Sequence, residues 1–162
     1  MTPPHDLFSD PSLREVAVPA TNVWTSLDAP RDLDEAIVRE VPDARAWAES
    51  MDPAVRLGLH GRIETQLLIG EPVLVVDERD DWSQITAPWQ GSSREGRGYP
   101  GWVRTEHLGS PAPRSQQGNA TVTCPSTPCS IEADTVELSF GSLLRVAEPQ
   151  TCEGDGADPV VG

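Results

Sequence analysis

The sequence predicts a mainly β protein: one small barrel of short antiparallel strands with a short helical insertion, followed by a second, incomplete copy of that unit. Between 65 and 103, short β-branched and aromatic runs alternate with polar turns, the pattern of a hairpin-rich sheet. Between about 30 and 58, apolar residues fall instead at helical spacing. A strand–turn pattern around Gly70 then returns around Gly141. With 162 residues, a hydrophobic fraction of 37%, 16 Pro and 13 Gly, the chain suits many short elements rather than one large core.

Residues 1–13 are polar and Pro-rich and read as a flexible lead-in to a first barrel over 14–109. Val16-Ala17-Val18 and Asn22-Val23-Trp24-Thr25 have strand composition, with Pro19 marking a bend or an edge. In the insertion, Asp32 is expected to cap a short helix through Leu33, Ala36 and Ile37. Pro42 and Asp43 open a second helix, in which Ala44, Trp47, Ala48 and Met51 share one packing face and which Asp52-Pro53 ends. Strands follow at 65–69, from Val73 to Val76 and at 82–86, separated by turns at Gly70-Glu71 and 77–81. A Gly- and Ser-rich loop over 89–98 is long enough to be functional, and Trp89 at its border is placed to line a groove. Gly98-Tyr99-Pro100-Gly101-Trp102-Val103 resumes extended chain, and 105–108 forms one 3-10-like turn. Trp82, Gly101 and Trp102 are expected to build the barrel, the glycine permitting close strand approach.

A linker over 110–119 precedes a partial second unit over 120–150 and a disordered tail over 151–162. Superimposing Gly70 on Gly141, a shift of 71 residues, matches Leu67 with Leu138, Val73 with Leu144, Val75 with Val146 and Asp77 with Glu148. The second copy has strand-like 120–123 and 136–146 but lacks the Trp strand and the closing Gly-Trp-Val. Such a unit leaves open edges and is expected to be marginal alone.

The formal net charge is -14, which repels phosphate backbones and anionic lipid, so neither nucleic acid nor membrane is an expected partner. No run approaches the roughly 20 apolar residues that span a bilayer. The N-terminus lacks a basic start and an apolar core, so the sequence as written predicts a cytoplasmic protein, or an extracellular one if the start is misassigned. Cys124, Cys129 and Cys152 form neither a disulfide framework nor a zinc spacing, although the first two are placed to close a small loop under oxidising conditions. His5, His60 and His107 are scattered, so no metal and no other cofactor is expected.

Thr65-Gln66-Leu67-Leu68-Ile69-Gly70-Glu71-Pro72-Val73, then Asp81-Trp82, then Gly98-Tyr99-Pro100-Gly101-Trp102-Val103 together resemble a known layout. It is that of the N-terminal bacterial SH3 (SH3b) region of NlpC-type cell-wall cysteine peptidases, the dipeptidyl-peptidase-like γ-D-glutamyl-L-diamino-acid endopeptidases. The resemblance spans roughly 16–108 with the insertion, and a second SH3b begins near Asn119. It implies an SH3-like barrel and a papain-like catalytic domain, in cis or in trans, bearing an Asp-Cys-Ser-Gly nucleophile motif and downstream histidines. This sequence contains no such motif and no His after its cysteines, so it offers no activated thiolate and is not itself expected to be an enzyme.

In that family the first barrel closes one side of the substrate cleft. An acidic residue and a tyrosine there hold the free α-amine of the N-terminal L-Ala. The resemblance places these roles on Glu71 and Tyr99. On the residues alone, Glu71 is equally a turn carboxylate and Tyr99 equally half-buried barrel surface.

The leading expectation is a non-catalytic module that docks on a cell-wall peptide (γ-D-glutamyl-diamino acid) hydrolase and shapes its specificity. Two alternatives stand beside it: a truncated or frameshifted piece of the peptidase itself, and a free-standing peptide-binding adaptor.

Overall fold

The computed structural model of the chain describes residues 7–93, 96–111, 120–131 and 134–144. A 3-10 turn at Leu7–Ser9 leads into β1 (Leu13–Val16) and β2 (Ala20–Trp24), with Pro19 at the bend between them. The insertion holds a 3-10 turn at Asp32–Asp34 and three short helices, α1 (Glu35–Val38), α2 (Ala44–Glu49) and α3 (Pro53–Leu57). Then come β3 (Ile63–Leu68), β4 (Pro72–Arg79), β5 (Trp82–Ala87), β6 (Tyr99–Arg104), a 3-10 turn at Thr105–His107, and β7 (Leu108–Gly109).

These seven strands make one antiparallel sheet in the order β3-β2-β6-β5-β4-β1-β7. The sheet curls into a half-barrel, in keeping with an SH3-like β fold. Hydrogen bonds from Val16 N to Glu71 O (2.9 Å), Gly70 N to Val16 O (2.9 Å) and Ile69 N to Pro19 O (3.3 Å) tie the β3–β4 turn to β1 and the bend after it. A bulge between Val75 and Asp77 bends β4 and leaves Val76 exposed.

Side chains alternate across this sheet, so each face acquires its own core. Val16, Val23, Leu67, Val73, Ile85 and Val103 fill the concave side. Trp24, one residue on from Val23, joins Ile37, Trp47 and Met51 beneath the helices on the other side. At the centre of this second core Asp34 is inaccessible to solvent and accepts bonds from Arg31 Nε (2.8 Å) and the Trp47 indole N–H (2.8 Å).

The helix boundaries differ from the sequence expectation in two places. Arg31, not Asp32, occupies the first N-cap, and the Asp34 carboxylate accepts the Arg31 backbone N–H (2.9 Å). Asp52-Pro53 does not simply end the helical region. The Asp52 carboxylate accepts from Val55 N (2.8 Å) and Pro53 opens α3, a standard start signal read in sequence as a stop. Met51 lies past the end of α2 yet is buried with Trp47, while Ala44 and Ala48 are half-buried. The lead-in also contributes to the fold: Leu13 is buried within β1.

His107 joins the sheet to the insertion. Its Nε2 donates to the Arg39 carbonyl (2.8 Å) at the end of α1, so Nδ1 accepts the Thr21 hydroxyl (2.8 Å). Burial holds the imidazole below the usual histidine range, with Arg104 acting in the same direction and the Arg39 carbonyl and Glu106 opposing. A folded pKa below the unfolded one means that stability is full above about 6.5 and falls as pH drops from there through the folded value. Thermal unfolding followed from pH 7.5 to 5 is expected to show this loss, and His107→Gln to flatten it.

The second unit contains β8 (Ala120–Thr121), β9 (Ser126–Ile131), β10 (Asp134–Ser139) and β11 (Leu143–Leu144). β9 pairs with β10 and β8 with β11, as β2 pairs with β3 and β1 with β4 in the first unit. Leu67 and Leu138 are both fully buried. Gly70 (φ 85°) and Gly141 (φ 90°) occupy the same position in two four-residue turns, closed by Glu71 N to Leu68 O and Ser142 N to Ser139 O (both 3.1 Å). Val122 exchanges backbone bonds with Gly141 and Ser142 as Val16 does with Gly70 and Glu71.

β9 carries Pro125 before it and Pro128 within it, which hid it from sequence reading. It pairs on one side only, where proline is tolerated. The loop between Cys124 and Cys129 is taken up by paired strand, and both thiols are free. The Val146 and Glu148 matches, Cys152, His5, the tail over 151–162 and most of the linker lie outside the described residues. Among the described residues, no helix is long and apolar enough to cross a membrane and no metal-binding cluster forms.

Candidate functional site

Glu71 is the fourth residue of the β3–β4 turn, whose third position requires the positive φ of Gly70. The carboxylate is half-buried and folds back on its own turn. Oε1 accepts the Leu68 backbone N–H (2.9 Å) and Oε2 accepts from Gln90 Nε2 (3.3 Å). The Gln90 amide is itself oriented by two further bonds, from Nε2 to the Gln66 carbonyl (3.0 Å) and from the Thr65 hydroxyl to Oε1 (2.5 Å). Gln66 continues the chain of bonds to Asn22 Oδ1 (2.8 Å), beyond which the buried Asn22 Nδ2 has no partner among the described residues.

These donors are all neutral. No Lys or Arg pairs with Glu71 among the described residues, so its negative charge is positioned but uncompensated. A carboxylate has about four acceptor positions. Two are used internally, and the remainder suit an external ammonium group.

Tyr99 opens β6 opposite Ala87 and packs, half-buried, against the concave core. Ala87 also begins the turn that Gln90 closes, Gln90 N donating to Ala87 O (3.1 Å). Glu71 and Tyr99 are therefore both linked to the 87–90 turn, one through a side-chain bond and the other through strand pairing. Trp89, which precedes Gln90 in this turn, is 54% exposed.

The residues assigned to barrel building take different places. Gly101 sits where β6 touches β2, and a Cβ there would lie 2.4 Å from Val23 Cγ1. Trp82 and Trp102 are half-buried on the helical side, packed against the core of the insertion rather than within the concave core. Arg104 lies over the Trp82 ring and Arg79 over the Trp102 ring, each 5.5 Å from the centroid.

Gln90 and Thr65 are site residues that sequence reading did not assign to the site. Thr65 and Gln66 lay inside the quoted strand motif, but nothing in the Gly- and Ser-rich loop marked Gln90 as a partner of Glu71. Its role depends on the loop folding back over β3.

No family model matches the chain. It is 35% identical over 127 residues to a γ-D-glutamyl-L-lysine dipeptidyl-peptidase of Bacillus subtilis (strain 168), covering 76% of this chain and 43% of that protein. It is 34% identical over 95 residues to the enzyme of the same name from Bacillus cereus (strain ATCC 10987 / NRS 248), covering 57% and 28%. The crystal structure of an NlpC/P60 family protein from Bacillus cereus ATCC 10987 superposes with a TM-score of 0.74 at 27% identity. That match covers 86% of this chain and 49% of that one. The chain thus spans less than half the length of the curated relatives it matches, and it is homologous to part of these peptidases.

Proposed function

We propose that this chain is a non-catalytic recognition module of a cell-wall peptide hydrolase, docking on a papain-like catalytic domain and binding the free N-terminal amine of L-Ala-γ-D-Glu-diamino-acid peptides. The observation that carries this reading is the Glu71 carboxylate, oriented by Leu68 N–H and Gln90 with no cation beside it among the described residues. An ammonium group supplies the missing charge and donates to the unused lone pairs, a charge-assisted contact worth about 1.5–3 kcal/mol. Tyr99 is the second half of the pair, with its hydroxyl able to accept one ammonium hydrogen. Homology to part of dipeptidyl-peptidases supports the substrate class.

Half a cleft binds weakly, so titration calorimetry at millimolar L-Ala-γ-D-Glu-L-Lys is the suitable test. The free-amine tripeptide is expected to bind and its N-acetylated form to bind at least tenfold more weakly. Glu71→Gln keeps the shape and removes the charge, and is expected to weaken the free-amine peptide about 10–100-fold. Equal affinity of wild type and Glu71→Gln for the free-amine peptide would refute the assignment.

A further inference from the structure

We propose that the second unit positions Glu71, acting as a clamp on the turn that presents the carboxylate; this rests on the amine-binding reading of Glu71. The turn over 68–71 is gripped from two directions. On one side Val16 exchanges backbone hydrogen bonds with Gly70 and Glu71. On the other side Leu143, in β11 of the second unit, donates its N–H to the Ile69 carbonyl (3.1 Å). A Cβ on Gly70 would lie 2.7 Å from Leu143 Cβ and 2.9 Å from Leu143 O, so the two backbones are in close contact. The contact is reciprocal: a Cβ on Gly141 would lie 3.4 Å from Leu68 Cδ1. The turn of one repeat therefore packs on the turn of the other.

This bears on the site because Leu68 N–H is the donor that holds Glu71 Oε1. Three consecutive residues, Leu68, Ile69 and Gly70, touch the second unit, and the next is the carboxylate itself. The equivalent position in the second copy is Ser142, whose buried hydroxyl has no partner among the described residues and which carries no charge. The repeats have thus divided the work: one copy holds the charge, and the other supplies the surface against which the charged turn is set. A bidentate ion pair between Arg45 of α2 and Glu137 of β10 fastens the units a second time.

The test uses the full chain with substitutions at Leu143. Leu143→Gly removes the Cβ that meets Gly70, whereas Leu143→Ala retains it. In Leu143→Gly the Leu68 amide is expected to exchange with deuterium about tenfold faster. The preference for free-amine over N-acetylated tripeptide is expected to fall by a similar factor, with the affinity of the acetylated form unchanged. Leu143→Ala should stay within about twofold of wild type in both. Glu137→Arg, which repels Arg45 and leaves the turn untouched, should move both readouts in the same direction by a smaller factor.

Unchanged Leu68 exchange in Leu143→Gly would overturn the clamp, as would equal effects of Gly and Ala. Leu68 exchange is read without ligand. A wild-type chain that shows no amine preference therefore refutes the binding role of Glu71 while the exchange data still decide the clamp.

Discussion

Gly101→Ala is expected to lower the stability of the chain by about 3 kcal/mol, seen as a shift of the urea midpoint at unchanged slope. The added Cβ would stand 2.4 Å from Val23 Cγ1 and 2.8 Å from the Trp24 carbonyl oxygen. Neither neighbour yields easily. Val23 is fully buried and restricted at χ1, and the Trp24 carbonyl belongs to a strand paired on both sides. The strain falls on the weakest seam of the sheet, since β2 and β6 share a single register pair, Trp24 with Trp102. Gly91→Ala is the control. Nothing lies within 4 Å of a Cβ there, and its effect should stay within about 0.5 kcal/mol. A Gly101→Ala chain as stable as the control would mean that the β2–β6 approach is looser than described.

Asp34→Ala is expected to be the most damaging change in the insertion, at about 3–4 kcal/mol. The carboxylate is fully enclosed, and its removal leaves the Trp47 indole N–H unpaired in the core and the Arg31 guanidinium with only the Val55 carbonyl and the Met51 sulfur as partners. Burial pushes the Asp34 carboxyl up, but hydrogen bonds from Arg31 and Trp47 outweigh it, and the net pKa lies below the usual carboxylate range. The group therefore contributes stability above the unfolded value of about 3.9, which is lost as pH falls through the folded value. Urea unfolding of the variant, followed by tryptophan fluorescence, measures the first effect, and acid titration of the wild type measures the second. A loss below about 1 kcal/mol would show that the Val55 carbonyl and solvent suffice to satisfy Arg31.

Much of the first unit was legible because its signals are local. The alternation around Val73, the turn residues Gly70-Glu71 and the Gly98 to Val103 run each report on neighbouring residues, and each falls on or beside the strand or turn expected of it. The same holds for the repeat, where Leu67 and Leu138 take equivalent buried places. Misreadings arose where one signal has two meanings. Asp52-Pro53 ends one helix and starts another, and prolines that exclude a central strand are harmless in β9, which pairs on one side. Trp82 and Trp102 do stand in strands of the sheet, β5 and β6, but which face they occupy depends on where the insertion packs. Nothing within a few residues of Trp82 or Trp102 records that.

The candidate site divides along the same line. Sequence by itself determined that a carboxylate follows a glycine turn, that a lone tyrosine stands in a Gly-Pro-Gly frame, and that the strand–turn pattern around the glycine recurs in a second copy. Those are properties of short stretches, set by backbone preference and side-chain alternation. Only the tertiary structure decided that Gln90 orients Glu71, that the 87–90 turn links to both Glu71 and Tyr99, and that Leu143 rests on Gly70. Each of these joins residues at least 19 positions apart, or from two different strands or units. Such contacts form when the sheet curls and the repeats pack, because burial brings together surfaces that no local pattern encodes.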